Sequence, residues 1–174
     1  MKHHILSIVI FSLIIFLNGC KRKEVIPLFE IESIASIEIP VGLNTVETHY
    51  INIRDITSTL AGQLETMGLS MDDISVIKPQ SFVMTSLDGD VDFSFISRIS
   101  SEIFTRAIPE KTEIFFMEPV PINTRSRLIL FPSLLNIKDY LAGPSFNIEV
   151  KFNVRGFTPR TIEARIDMIF QVQE

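Results

Sequence analysis

Apolar and polar residues alternate with a period of two along most of this chain, the pattern of half-buried β-strands. Between Phe29 and Val41, the apolar Phe29, Ile31, Ile37, Ile39 and Val41 share one face, and Glu30, Glu32 and Glu38 take the other. Thr45 to Ile53 and Ile74 to Ser86 are further candidates. Lys78-Pro79 marks an edge or bulge in the latter, because proline has no N–H to give to a ladder. Val91 to Ile96 alternates with Val91, Phe93 and Phe95 inward. Ile99 to Thr105 and Thr112 to Glu118 flank a Pro109-Glu110 turn. Arg127 to Phe131 is apolar on both faces, as a covered central strand would be.

Two long strands close the chain. Phe146, Ile148, Val150, Phe152 and Val154 line one face of the first, and Ile162, Ala164, Ile166, Met168, Phe170 and Val172 one face of the second. The pattern predicts a hairpin between them. Of the two registers that match faces, the one whose paired positions sum to 314 sets Lys151 opposite Glu163 and Glu149 opposite Arg165. Each opposite-charge pair favours that register by ~0.2–1 kcal/mol over a like-charge pair. Gly156-Phe157-Thr158 would be its loop, and Pro159 would have to sit at a bulged or non-hydrogen-bonded position.

The period changes to helical in two places. Ile56, Leu60, Leu64 and Met67 recur at helical spacing, with Asp55 or Thr57 as cap and Gly68 after the end. Leu134 to Ala142 predicts a second helix, capped by Ser133, stopped by Gly143-Pro144, and burying Leu134, Ile137 and Leu141. Asp72-Asp73 after Ser70 read as one more short helical turn.

Composition agrees with strands. From Cys20 onward the chain holds 22 Ile, 10 Val, 11 Thr, 12 Phe and 2 Tyr but only 5 Ala. Eight or nine strands with two short helices predict an antiparallel β-sandwich as a single domain over residues 28–174. A closed small barrel is the alternative. A membrane barrel fits less well, because helices interrupt the strands.

The first twenty residues break the pattern. Met1 to His4 carry one fixed positive charge; Ile5 to Phe16 are uncharged and apolar apart from two serines; Leu17-Asn18-Gly19-Cys20 follows, then Lys21-Arg22-Lys23. The apolar run is too short to span a bilayer as a helix, which takes ~20 residues. A charged start, a short apolar core and small residues predict a signal peptide over 1–19. Leu-x-Gly-Cys resembles the bacterial lipobox, although Asn18 stands where Ala or Ser is more usual. That resemblance implies cleavage before Cys20, a diacylglyceryl group on its thiol, and a membrane tether over residues 20–27. Lys21 is not the Asp that tends to keep such proteins at the inner membrane, which implies the outer membrane. The basic run after Cys20 favours the periplasmic face over the cell surface. The chain as a whole resembles small, uncharacterised Bacteroidota-type β-rich lipoproteins in style only, and no activity follows from that.

Candidate chemistry is sparse. Cys20 is the sole cysteine, so neither an intramolecular disulfide nor a cysteine zinc cluster is expected. From Cys20 onward 15 Lys+Arg stand against 21 Asp+Glu, a balance that argues against a nucleic-acid partner. Asp88-Gly89-Asp90-Val91-Asp92 has the opening spacing of a calcium loop, but Phe93 and Ile99 occupy the places of its glycine and final glutamate. An Asp-Gly hairpin turn accounts for it better. His49, alone after residue 20, reads as a hydrogen-bonded structural residue. No catalytic group, metal site or cofactor is expected. Arg155-Gly156-Phe157-Thr158-Pro159-Arg160 sets an aromatic between two arginines at a loop tip. Arg155, Phe157 and Arg160 are therefore the candidate contact to a partner protein, glycan or headgroup, unless Phe157 folds back on the sheet. The expected function is a non-enzymatic, lipid-anchored envelope protein that binds or scaffolds another component. A small-ligand or glycan-binding lipoprotein of an uptake system is the alternative, its glycan form weakened by the lack of Trp and the presence of only two Tyr.

Overall fold

The computed structural model describes residues 27–89, 91–158 and 160–174. The signal segment expected over 1–19, Cys20 and the expected tether up to residue 26 lie outside the described residues, as do Asp90 and Pro159.

Eight strands and two helices follow in chain order. They are β1 (Phe29–Ile39), β2 (His49–Thr57), α1 (Leu60–Met67), β3 (Val76–Ser86), β4 (Ile96–Phe104), β5 (Thr112–Met117), β6 (Arg127–Pro132), α2 (Lys138–Leu141), β7 (Ser145–Val154) and β8 (Ile162–Gln173). Every ladder is antiparallel, and the order across the sheet is β1-β8-β3-β6-β5-β4-β7-β2. The sheet folds over at β5–β6, where two residue pairs join the halves. One layer is then β1-β8-β3-β6 and the other β2-β7-β4-β5. This is the β-sandwich expected, in the strand order of a jelly roll.

The alternating positions meet between the layers. Phe82 of β3 packs on Phe115 of β5, Phe115 on Phe170 of β8, and Phe170 edge-on against Phe146 of β7, with centroids 5.4, 6.2 and 5.9 Å apart. All four rings are fully buried. The inward faces read for the last two strands are buried throughout.

The final hairpin is not formed. β7 pairs with β2 and β4, while β8 pairs with β1 and β3. The two strands face each other across the core instead of sharing a ladder. Alternation fixes which side of a strand is buried, and either layer satisfies it. The charges also find other partners: Lys151 pairs with Glu102 of β4, and Arg165 with Asp167 two residues along its own strand. The same logic undoes the hairpin at Asp88-Gly89. The Val91 amide does donate to the Asp88 carbonyl (3.2 Å), but the chain then crosses from layer to layer, and Phe93–Phe95 is a 3₁₀ turn, not a strand.

β4 and β5 do form their hairpin, and β3 is bulged between Pro79 and Ser81 as its proline requires. β6 is not covered on both faces: Leu128 and Leu130 are buried, whereas Ile129 and Phe131 are exposed. α1 starts later than its stripe suggested. Ile56 belongs to β2, which continues past a bulge where Asp55 takes φ 55° and its amide donates to Asn147 (2.9 Å). Thr59 is the residue before the helix, and Gly68 ends it at φ 69°. Leu60 and Leu64 are buried but Met67 is not. α2 is only four residues long; Ile137 and Leu141 are buried and Leu134 is exposed. The Ser70 turn forms as read: the Ser70 amide and hydroxyl donate to Asp73 (2.7 and 2.8 Å) and hold its carboxyl below the usual carboxylate range.

Candidate functional site

Antiparallel pairing gives the sandwich two distinct ends. The entry at Pro27, both helices and the C-terminal Gln173-Glu174 lie at the near end, because Phe29 pairs with Val172 and Val76 with Gln173. Loops 40–48, 87–95, 118–126 and 155–161 gather at the far end, beyond the pair Ile39–Ile162. Eleven strand residues separate the ends, roughly 35 Å.

The far-end loops are stitched together. The buried Thr158 hydroxyl donates to the Pro40 carbonyl (2.8 Å) and accepts from the Leu43 amide (3.0 Å), and the Gly42 amide donates to the Thr158 carbonyl (3.1 Å). Arg155 donates through Nη2 to the Val120 carbonyl (2.6 Å), and its amide to the Phe95 carbonyl (2.8 Å). Arg160 reaches the Asp88 carbonyl at 3.5 Å. So the two arginines brace neighbouring loops. Phe157 does not fold back on the sheet; it is 75% exposed.

Each of the four loops also shows a large apolar side chain to solvent: Val41 and Val46, Leu87, Ile122, and Phe157. Val41, expected on the inward face of the first strand, is instead exposed, because β1 ends at Ile39; the sequence signal for Val46, Leu87 and Ile122 is slight, single apolar residues in turn-rich segments. The four loops hold three arginines and no lysine.

No protein-family model matches the chain, and no curated protein matches it. Among solved structures, a chain described as "Cyanophage Pam1 capsid asymmetric unit" is similar over 88% of this chain and 96% of that one. Identity is 10% and the TM-score 0.41, a distance at which the likeness has no bearing on function.

A second feature lies on the outward face of the layer β2-β7-β4-β5. Ladder pairing sets Glu149 of β7 beside Glu102 of β4, and Glu102 beside Glu113 of β5, three carboxylates in a row. Two lysines compensate. Lys111 pairs with Glu149 at 2.6 Å, and Lys151 sits between Glu102 (2.5 Å) and Glu149 (4.0 Å). The hydrogen bond to Glu102 raises Lys151 above the ordinary lysine range; burial opposes it, and the charges of Glu102 and Glu149 add to it. Toward the far end this face opens into a groove of about 200 Å³. Lys151 and Ser100 are neighbours on its floor, Tyr50 stands on one side, and Glu113 on the other. This row was hidden in the sequence, because only the strand order brings residues 102, 113 and 149 together.

His49 is the structural residue expected: Nε2 lies 2.8 Å from the Asn44 carbonyl, and the ring is tilted against Phe152 at 5.7 Å. Asp88 serves its own turn, and its carboxylate accepts from the Glu163 amide at 3.4 Å. Among the described residues no group of three His, Cys, Asp or Glu is arranged to hold a metal ion.

Proposed function

We propose that this chain is a lipid-anchored envelope protein, tethered through Cys20 to the periplasmic face of the outer membrane. Its far end binds or scaffolds an envelope protein, without catalysis of its own. The observation that carries the reading is the opposition of the two ends. The chain enters at Pro27, while the far-end loops, roughly 35 Å away, each expose at least one large apolar side chain; Leu134 and Leu135 are the exposed apolar loop residues beside the entry. A tether of residues 20–26 adds at most about 25 Å of reach. An anchored protein built this way presents Phe157, Ile122 and Val46 away from its own bilayer. Arg155 and Arg160 contribute by holding the loops that carry those side chains.

Photo-cross-linking in intact cells tests this. A cross-linking amino acid at position 157 is expected to capture a discrete envelope protein, and the same group at the near-end position 72 is not. Capture should weaken when Ile122 is also changed to Ser. Equal capture from both positions, or capture indifferent to Ile122→Ser, would overturn the reading.

A further inference from the structure

We infer that the groove beside Tyr50 is a binding site for a neutral sugar residue. This goes beyond the far-end contact and does not depend on the anchor. The argument starts from which charges in the groove are already spent. Lys151 is held by Glu102, and Arg98 Nε by Glu118 at 3.2 Å. Each cation of the groove already has a carboxylate beside it, which lessens its pull on an anionic ligand. A metal cation would find a single carboxylate without an ion pair, Glu113, on a face that also carries Lys151 and Arg98.

What remains unspent is a mixture of hydrogen-bonding groups. Among the described residues, Glu113 and the Ser100 hydroxyl make no hydrogen bond, while Asn153 donates from Nδ2 to Thr48 (3.0 Å). A carboxylate only accepts, whereas a hydroxyl both donates and accepts. A ligand matching that set needs several groups that do both, and no net charge; sugar hydroxyls have this property. Tyr50 supplies the second element. It is 57% exposed, with Lys151 Nζ 5.9 Å from its ring centroid. One apolar face of a sugar ring would stack on it while the phenol stays wet. The groove is lined almost wholly by polar side chains, which suits a hydrated polyol better than an apolar ligand.

The test titrates the detergent-solubilised full chain with neutral gluco-, galacto-, manno- and xylo-oligosaccharides, followed by calorimetry. Saturable binding by at least one class is expected, with a Kd of about 1 mM or tighter. Tyr50→Ala and Glu113→Gln should each weaken it about tenfold or more, and Tyr50→Phe should retain most of it. Thermal melts of the three variants show whether any loss is merely unfolding; both sites are at the surface, so melts close to wild type are expected. Absence of binding by every oligosaccharide would overturn the inference. So would binding indifferent to both Tyr50→Ala and Glu113→Gln, or displacement of the sugar by inorganic phosphate or calcium. Because Phe157 lies outside the groove, Phe157→Ser should leave sugar binding intact, which separates this site from the far-end contact.

Discussion

Thr158 shows how much one side chain can hold. It is buried in a loop, where a backbone would ordinarily be solvated, and its hydroxyl ties the last connection to Pro40 and Leu43. Thr158→Val keeps the shape but leaves a carbonyl and an amide unpaired. It is expected to cost about 1–3 kcal/mol, read as a lowered urea midpoint; an unchanged midpoint would refute the role. Lys151 is the corresponding residue on the sheet face. Lys151→Met would leave Glu102 and Glu149 side by side without their shared cation, a loss on the order of 2 kcal/mol at neutral pH. The sign of its pH dependence follows from the raised pKa. The contribution is complete below the ordinary value of 10.5 and is lost as pH rises through the higher folded value. The stability gap between wild type and Lys151→Met should therefore be flat near neutrality and close above about pH 10.5. A gap that persists there would mean that packing, not charge, made the difference.

Strands were legible in this sequence because burial imposes a period of two, and β7 and β8 show it without a break. Their pairing was not legible. A strand with one buried face fits either layer of a sandwich, and the charge pattern that favoured a hairpin was satisfied by Glu102 and Asp167 instead. Helices were read at the right places with the wrong extents. Ile56 keeps helical spacing with Leu60 yet lies beyond a bulge in β2, and Leu134 is outside the short α2. The candidate contact was half legible. Phe157 at a tip could be seen in the sequence, but the gathering of Val46, Leu87 and Ile122 around that end needed the strand order. The elements differ accordingly in what substitution does. Phe170→Ala, in the central strand β8, removes a ring that packs on Phe115 and Phe146, and should cost about 3–5 kcal/mol. Phe157→Ala should change stability by less than about 0.5 kcal/mol. Chemical denaturation of both measures the contrast; a large loss at Phe157 would show that the tip is packed.

At the scale of the whole molecule, stability comes from one continuous apolar core between two layers, fed by all eight strands. Such a core asks for no metal, so a chelator should leave the melting temperature of the full chain unchanged. A drop of several degrees would point back to the loop around Asp88. The anchor is testable at the same scale. Cys20→Ala should block lipid labelling and leave the precursor uncleaved, since the resemblance to a lipobox assigns both steps to that thiol. Normal labelling of the variant would remove the basis for placing the protein on a membrane.

The ladder between β1 and β8 also decides how the protein answers a mechanical load. Its eleven paired positions run from Phe29–Val172 at the near end to Ile39–Ile162 at the far end. A pull between the tether and a partner seated on the Phe157 loop enters β1 at the bottom and leaves β8 at the top. The two strands are then sheared, and every rung bears the load at once. A pull between the two chain termini enters both strands at the same end and opens the ladder one rung at a time. In single-molecule stretching, handles at the N-terminus and position 157 should therefore record a clearly higher rupture force than handles at the N- and C-termini. Jelly-roll connectivity would make this domain stiff along the line from the proposed anchor to the Phe157 loop and weak across it.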